Sequence, residues 1–82
     1  MKIQVIQKKN SQLNYEQKAL DYYEKKTGYR PSSVASEIQE DGKLHIQLYD
    51  NMGDHNSTSD WYTIDINTGK GEDITGAPVD LN

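Results

Sequence analysis

Apolar residues recur at helical spacing between residues 14 and 27, and at alternating positions in three later segments. The helical stripe consists of Tyr15, Ala19, Leu20, Tyr22 and Tyr23. Charged residues such as Glu16 and Lys18 fall largely outside this stripe. A stripe of this width predicts an amphipathic helix that turns its apolar side towards a core.

Both ends of this helix carry sequence signals. Asn14 is a suitable N-cap, and Gln17 completes a capping-box pattern with it. Gly28 suits the left-handed position that follows a helix, and Pro31 prevents the helix from continuing. We therefore predict a helix over residues 14–27. Residues 1–13 form an N-terminal arm, in which residues 3–6 can supply an extra edge strand.

The three later segments, residues 34–39, 43–49 and 61–66, are predicted to be strands. In the second segment Leu44, Ile46 and Leu48 alternate with polar positions, as in a half-buried strand. A two-residue Asp-Gly turn before it would place Ile38 opposite His45, on the wrong face of the sheet. A three-residue loop with a left-handed Gly42 pairs Ile38 with Leu44 instead, and we predict that loop.

Together these elements predict an α+β fold, with an N-terminal helix packed on one face of a three-stranded antiparallel meander. A loop at residues 51–60 joins the second and third strands. The tail, residues 72–82, has Ile74, Val79 and Leu81 as apolar anchors and is expected to lie along the sheet or the helix. Residues 14–82 form a single domain, which must be stabilised by packing because the chain has no Cys.

Charge is distributed unevenly along the chain. Residues 1–30 hold seven Lys or Arg against three Asp or Glu, whereas residues 31–82 hold two against ten. The excess of acidic residues over residues 31–82 argues against a nucleic-acid-binding surface there, because contacts with phosphates need clustered cations. No stretch approaches the ~20 apolar residues of a membrane span. The first residues are too few and too polar for a signal peptide, which leaves both an intracellular location and the loss of an export segment open.

Patterns for catalysis or metal binding are incomplete. The turn at Gly69-Lys70-Gly71 lacks the earlier Gly and the following Ser or Thr of a phosphate loop. A metal site in the 51–60 region would use Asp50, Asp54, His55 and Asp60, but their spacing does not match a calcium loop. A triad of Ser57 or Ser59 with His55 and Asp60 has no nucleophile elbow. We predict no enzyme activity, and no catalytic, metal-binding or cofactor-binding residue.

The order of elements, and a last strand that ends in Tyr-x-Ile-Asp-x-x-Thr-Gly-Lys, resemble the PepSY-type domain. Asp65, Thr68 and Gly69 match the turn that commonly follows the last strand there. Residues 23–29, 45–50 and 60–63 are also similar to the C-terminal domains of small lipoproteins of Gram-positive bacteria. The resemblance covers residues 14–82 and implies a non-enzymatic, extracytoplasmic domain, with an inhibitory or regulatory action on proteases. The Cys that anchors such lipoproteins is absent from this chain.

The strand pattern also predicts a binding surface. A single helix leaves one face of the sheet open. That face would carry His45, Gln47, Tyr49, Trp61 and Thr63. Its aromatic and polar composition is typical of protein interfaces, so we predict a protein partner. The arm, the tail or a second copy of the chain can also cover this face, and the alternatives are a structural or homodimerising domain and a metal-binding loop.

Overall fold

The computed structural model describes residues 10–82 as one helix followed by a five-stranded sheet. Helix α1 spans Asn10–Thr27, and the strands are β1 (Ser33–Ile38), β2 (Lys43–Asn51), β3 (Asn56–Asp65), β4 (Lys70–Asp73) and β5 (Pro78–Asp80). The strands are antiparallel and lie in the order β1-β2-β3-β4-β5. The predicted α+β class is confirmed, but the prediction of three strands is wrong.

The two additional strands are formed by residues around the predicted tail: β4 begins just before residue 72, and β5 lies within residues 72–82. Their sequences, Lys-Gly-Glu-Asp and Pro-Val-Asp, contain little that favours a strand. Backbone pairing creates them, because β4 extends the sheet from β3 and β5 extends it from β4. Val79 and Leu81 are buried as anchors, whereas Ile74 lies in the β4–β5 turn and is 71% exposed.

The core lies between α1 and one face of the sheet. Its buried members are Ala19, Leu20, Leu44, Ile46, Leu48, Tyr62, Ile64, Val79 and Leu81. Tyr15, Tyr22, Tyr23 and Ile66 pack against this cluster, so the predicted helical stripe is confirmed. Glu16 was expected largely outside the stripe, but it is buried, and its carboxylate accepts a hydrogen bond from Ser36 on β1 that offsets the cost of this burial.

The predicted C-terminal end of the helix is confirmed, but its predicted start is wrong. The chain is already helical at Asn10, the first described residue, so the prediction that Asn14 caps the helix is wrong. The arm therefore does not extend to residue 13, and residues 3–6 lie outside the described part of the chain. The other end is confirmed, because Gly28 has a φ of 84° and donates its N–H to the Glu24 carbonyl at 2.7 Å.

The β1–β2 hairpin has the predicted three-residue loop. Ile38 pairs with Leu44, and Gly42 is left-handed with a φ of 81°. The Gly42 N–H donates to the Gln39 carbonyl, and the Gln39 N–H donates to the Lys43 carbonyl, both at 2.9 Å. The alternation of apolar residues in β2 therefore predicted the β1–β2 register correctly.

The β2–β3 hairpin is longer than predicted. Most of the expected loop at residues 51–60 is strand, and the Met52 N–H donates to the His55 carbonyl at 2.8 Å across a short turn. A bulge interrupts the pairing, since Leu48 lies opposite Asp60 whereas Tyr49 lies opposite Thr58. This polar end of β3 has no apolar alternation to indicate a strand, and it forms by backbone pairing with β2.

Candidate partner-binding surface

The side of the sheet that faces away from α1 is called the outer face. Residues on β2 and β3 that alternate with the buried core positions lie on it. The structure places all five predicted surface residues there: His45, Gln47, Tyr49, Trp61 and Thr63. His45 is paired with Thr63, and Gln47 is paired with Trp61.

Three of these five residues come together around one depression. It has a volume of about 510 Å³ and is lined by Ala35, Ser36, Glu37, Gln39, His45, Gln47 and Trp61. The Trp61 side chain, the only tryptophan of the chain, is 40% exposed. We call this depression the Trp61 depression. Tyr49 and Thr63 do not line it.

The β1 residues of the Trp61 depression were missed in the sequence. Glu37 pairs with His45, and Ala35 pairs with Gln47, so both residues share the outer face with the predicted set. Their positions follow from the predicted pairing of Ile38 with Leu44. The predicted β1–β2 register therefore already indicated that Ala35 and Glu37 lie on the outer face, although neither residue is aromatic.

Hydrogen bonds inside the protein orient two glutamines at this depression. Gln39 Nε2 donates to Glu37 Oε1 at 2.6 Å, and Gln47 Nε2 donates to Thr58 Oγ1 at 2.8 Å. The bulge in β3 places Thr58 on the outer face opposite Tyr49, within reach of Gln47. The bulge thus helps to fix a side chain of the candidate surface.

The other end of the outer face has a different character. Cross-strand pairing places Lys43 beside Asp65, Asp65 beside Lys70, and Lys70 beside Asp80. Opposite charges therefore alternate across four strands. A second depression, of about 420 Å³, lies in this region and is lined by Thr63 together with Lys43, Asp65 and Lys70.

The four residues considered for a metal site have separate local roles. Asp50 accepts hydrogen bonds from the Ser32 N–H at 2.9 Å and the Tyr29 hydroxyl at 2.8 Å, and these bonds hold its pKa below the ordinary value. His55 Nδ1 lies 2.8 Å from Asp54 Oδ1. Asp60 Oδ1 accepts the Trp61 N–H at 2.9 Å. Within residues 10–82, no three His, Asp or Glu side chains are grouped so that they could hold a metal ion.

None of the helices in the described part is long and apolar enough to cross a membrane. No family model, no curated protein and no solved structure matches the chain.

Proposed function

We propose that this chain is a non-enzymatic protein-binding domain that uses the outer face around Trp61. The main support is the 40% exposure of the Trp61 side chain on a sheet face that neither α1 nor the tail covers within residues 10–82. Tryptophan is enriched among the residues that dominate protein interfaces. The inhibitory or regulatory role and the extracytoplasmic location are part of this proposal, and they rest on the resemblance to PepSY-type domains.

A selection from a random displayed-peptide library tests the proposal. The intact chain should enrich peptides whose binding is lost in Trp61→Ala and weakened in His45→Ala. Ser57→Ala is the matched control, because Ser57 is an exposed β3 residue outside the Trp61 depression. Circular dichroism and thermal unfolding establish that each variant is folded. Peptides that bind Trp61→Ala as well as the unmodified chain would exclude this surface.

A homodimerising domain is the second candidate, and β1 favours it. Within residues 10–82, this strand lies at one edge of the sheet and pairs only with β2. Edge strands expose backbone groups that can pair with another chain. Light scattering over a range of concentrations distinguishes the two functions, since a binding domain stays monomeric whereas a dimerising domain doubles its mass.

A further inference from the structure

We infer that the Trp61 depression receives a cationic side chain, preferentially arginine, from a basic segment of the protein partner. This inference rests on the proposed function and identifies the chemistry of the partner. The depression offers the Trp61 indole ring, the Glu37 carboxylate, the His45 imidazole and the amide oxygens of two glutamines. The indole face and the carboxylate together favour a cation over an anion.

The hydrogen-bonding groups of the Trp61 depression include free acceptors. A carboxylate only accepts hydrogen bonds, so the contact between Gln39 and Glu37 requires the amide nitrogen of Gln39 to point at Glu37. The amide oxygen of Gln39 is therefore left as an acceptor. Glu37 is exposed, and its second carboxylate oxygen is likewise an acceptor. A guanidinium, which has five N–H donors and no acceptor, complements such a set.

The charges around the Trp61 depression also favour a basic partner. No Lys or Arg within residues 10–82 forms an ion pair with Glu37. The Lys43–Asp65–Lys70–Asp80 series balances its own charges at the other end of the outer face. Residues 31–82, which form the sheet, carry ten acidic against two basic residues. The acidic sheet therefore attracts a basic partner, and Glu37, which has no Lys or Arg partner within residues 10–82, is the carboxylate that it meets at the Trp61 depression.

The Trp61 indole supplies an aromatic surface beside this carboxylate. Trp61 lies on β3 and Glu37 on β1, and both line the same depression with β2 between them. A guanidinium in the depression can stack on the indole face and donate to the carboxylate in the same pose. Tryptophan is the best aromatic partner for a cation, and arginine stacks on it more often than lysine does.

The test uses the unmodified chain and a peptide whose only charged side chain is one central arginine. Trp61 is the only tryptophan, so its fluorescence reports directly on occupancy of the depression. The arginine peptide should change the Trp61 emission, and a peptide with citrulline at the same position should bind about fivefold more weakly. Glu37→Gln should weaken arginine binding by about the same factor, because it removes the charge but keeps an oxygen for Gln39. Glu40→Gln is the matched control, with an identical change on an exposed residue outside the depression.

The outcomes separate this inference from the proposed function. Equal binding of the arginine and citrulline peptides, or unchanged affinity in Glu37→Gln, would overturn the cationic partner. If the library selection nevertheless gave peptides that depend on Trp61, the protein-binding function would stand without it. Tighter binding after Lys2, Lys8 and Lys9 are replaced by Gln, beyond the gain from the same replacements of Lys18, Lys25 and Lys26 on α1, would identify the chain's own first residues as the occupant and would overturn the assignment to a partner.

Discussion

Gly71 on β4 lies directly against the backbone of Thr63 on β3. A Cβ atom at Gly71 would be 2.8 Å from the Thr63 carbonyl carbon and 2.9 Å from the Cα of Ile64, and it would overlap the Thr63 oxygen. No side chain can move to relieve this contact, because the atoms involved belong to the backbone. The approach of β4 to β3, and with it the last part of the sheet, therefore requires a glycine at this position.

Gly71→Ala should lower the free energy of unfolding by about 3 kcal/mol, because β4 must move away from β3 to accommodate the methyl group. Urea unfolding followed by circular dichroism measures the loss. Gly76→Ala is the control. Gly76 has a φ of 88° and open space around it, so this variant should lose only about 1 kcal/mol from backbone strain. Equal losses in the two variants would contradict the close approach of β4.

A buried polar cluster joins the start of α1 to β1. Gln12 Nε2 donates to the Ser36 hydroxyl at 3.0 Å and to the Ser36 carbonyl at 3.2 Å, and the Ser36 hydroxyl donates to Glu16. Gln12 and Glu16 are 8% and 5% exposed. Ser36→Ala should destabilise the protein by about 2 kcal/mol, since it removes a donor from a buried carboxylate.

Ser33→Ala provides the comparison for this variant. Ser33 belongs to the same strand but pairs with Tyr49 on the outer face, so its loss should change the unfolding free energy by less than about 0.5 kcal/mol. Thermal unfolding at one pH measures both variants. A loss in Ser33→Ala as large as that in Ser36→Ala would show that the cluster has no special role.

Asp73 should make the stability depend on pH. Its carboxylate accepts hydrogen bonds from Thr75 Oγ1 at 2.6 Å, the Thr75 N–H at 2.8 Å and the Ala77 N–H at 3.0 Å, and Lys26 Nζ lies 3.8 Å away. These contacts, above all the Thr75 hydroxyl, hold its pKa below the ordinary value. The carboxylate therefore stabilises the fold above its unfolded pKa, and this contribution is lost as the pH falls through the lower, folded pKa.

Asp73→Asn should accordingly lower the melting temperature at neutral pH, and the gap to the unmodified chain should narrow in acid. Melting temperatures at about pH 7 and about pH 3 measure this difference. Asp54→Asn serves as control, because the Asp54 side chain is 91% exposed at the hairpin tip. A gap between the Asp73 variant and the unmodified chain that stays constant with pH would argue against an ionic role for Asp73.

The Tyr62 hydroxyl is buried without a hydrogen-bond partner in the described part of the chain. Burial raises the pKa of Tyr62 above its ordinary value, and Asp60 raises it further. Tyr62→Phe should therefore leave the stability unchanged or increase it by up to about 1 kcal/mol. Tyr15→Phe should instead cost about 1 kcal/mol, because the Tyr15 hydroxyl donates to the Ile66 carbonyl at 3.3 Å. Chemical unfolding of both variants measures the contrast, and a clear loss in Tyr62→Phe would reveal a partner for its hydroxyl.

The register between β1 and β2 could be predicted because two independent constraints agree there. Leu44, Ile46 and Leu48 alternate strictly, and Gly42 supplies the left-handed residue that the three-residue loop needs. The start of the helix could not be predicted in the same way. Gln12 and Glu16 look like solvent-exposed residues in the sequence, whereas both are buried in the structure and hydrogen-bonded to Ser36 on β1.

The candidate surface was predictable in part for the same reason. Parity placed His45, Gln47 and Trp61 on the outer face, because alternating side chains of a strand point to opposite sides. The alternation of side chains along a strand cannot show which of these residues line the same depression. That depends on β1 and on the bulge opposite Tyr49, which brings Thr58 to Gln47 and leaves Tyr49 outside the group.

The sequence by itself determined the helix, its apolar stripe, its glycine stop, the β1–β2 register and the two faces of β2 and β3. These features follow from local periodicity and from backbone conformations that few residues tolerate. Only the tertiary structure decided the last two strands, the long β2–β3 hairpin and the Trp61 depression. Their segments are polar and have weak strand preferences, so they form through backbone pairing with a strand that is already in place, and local sequence does not encode that pairing.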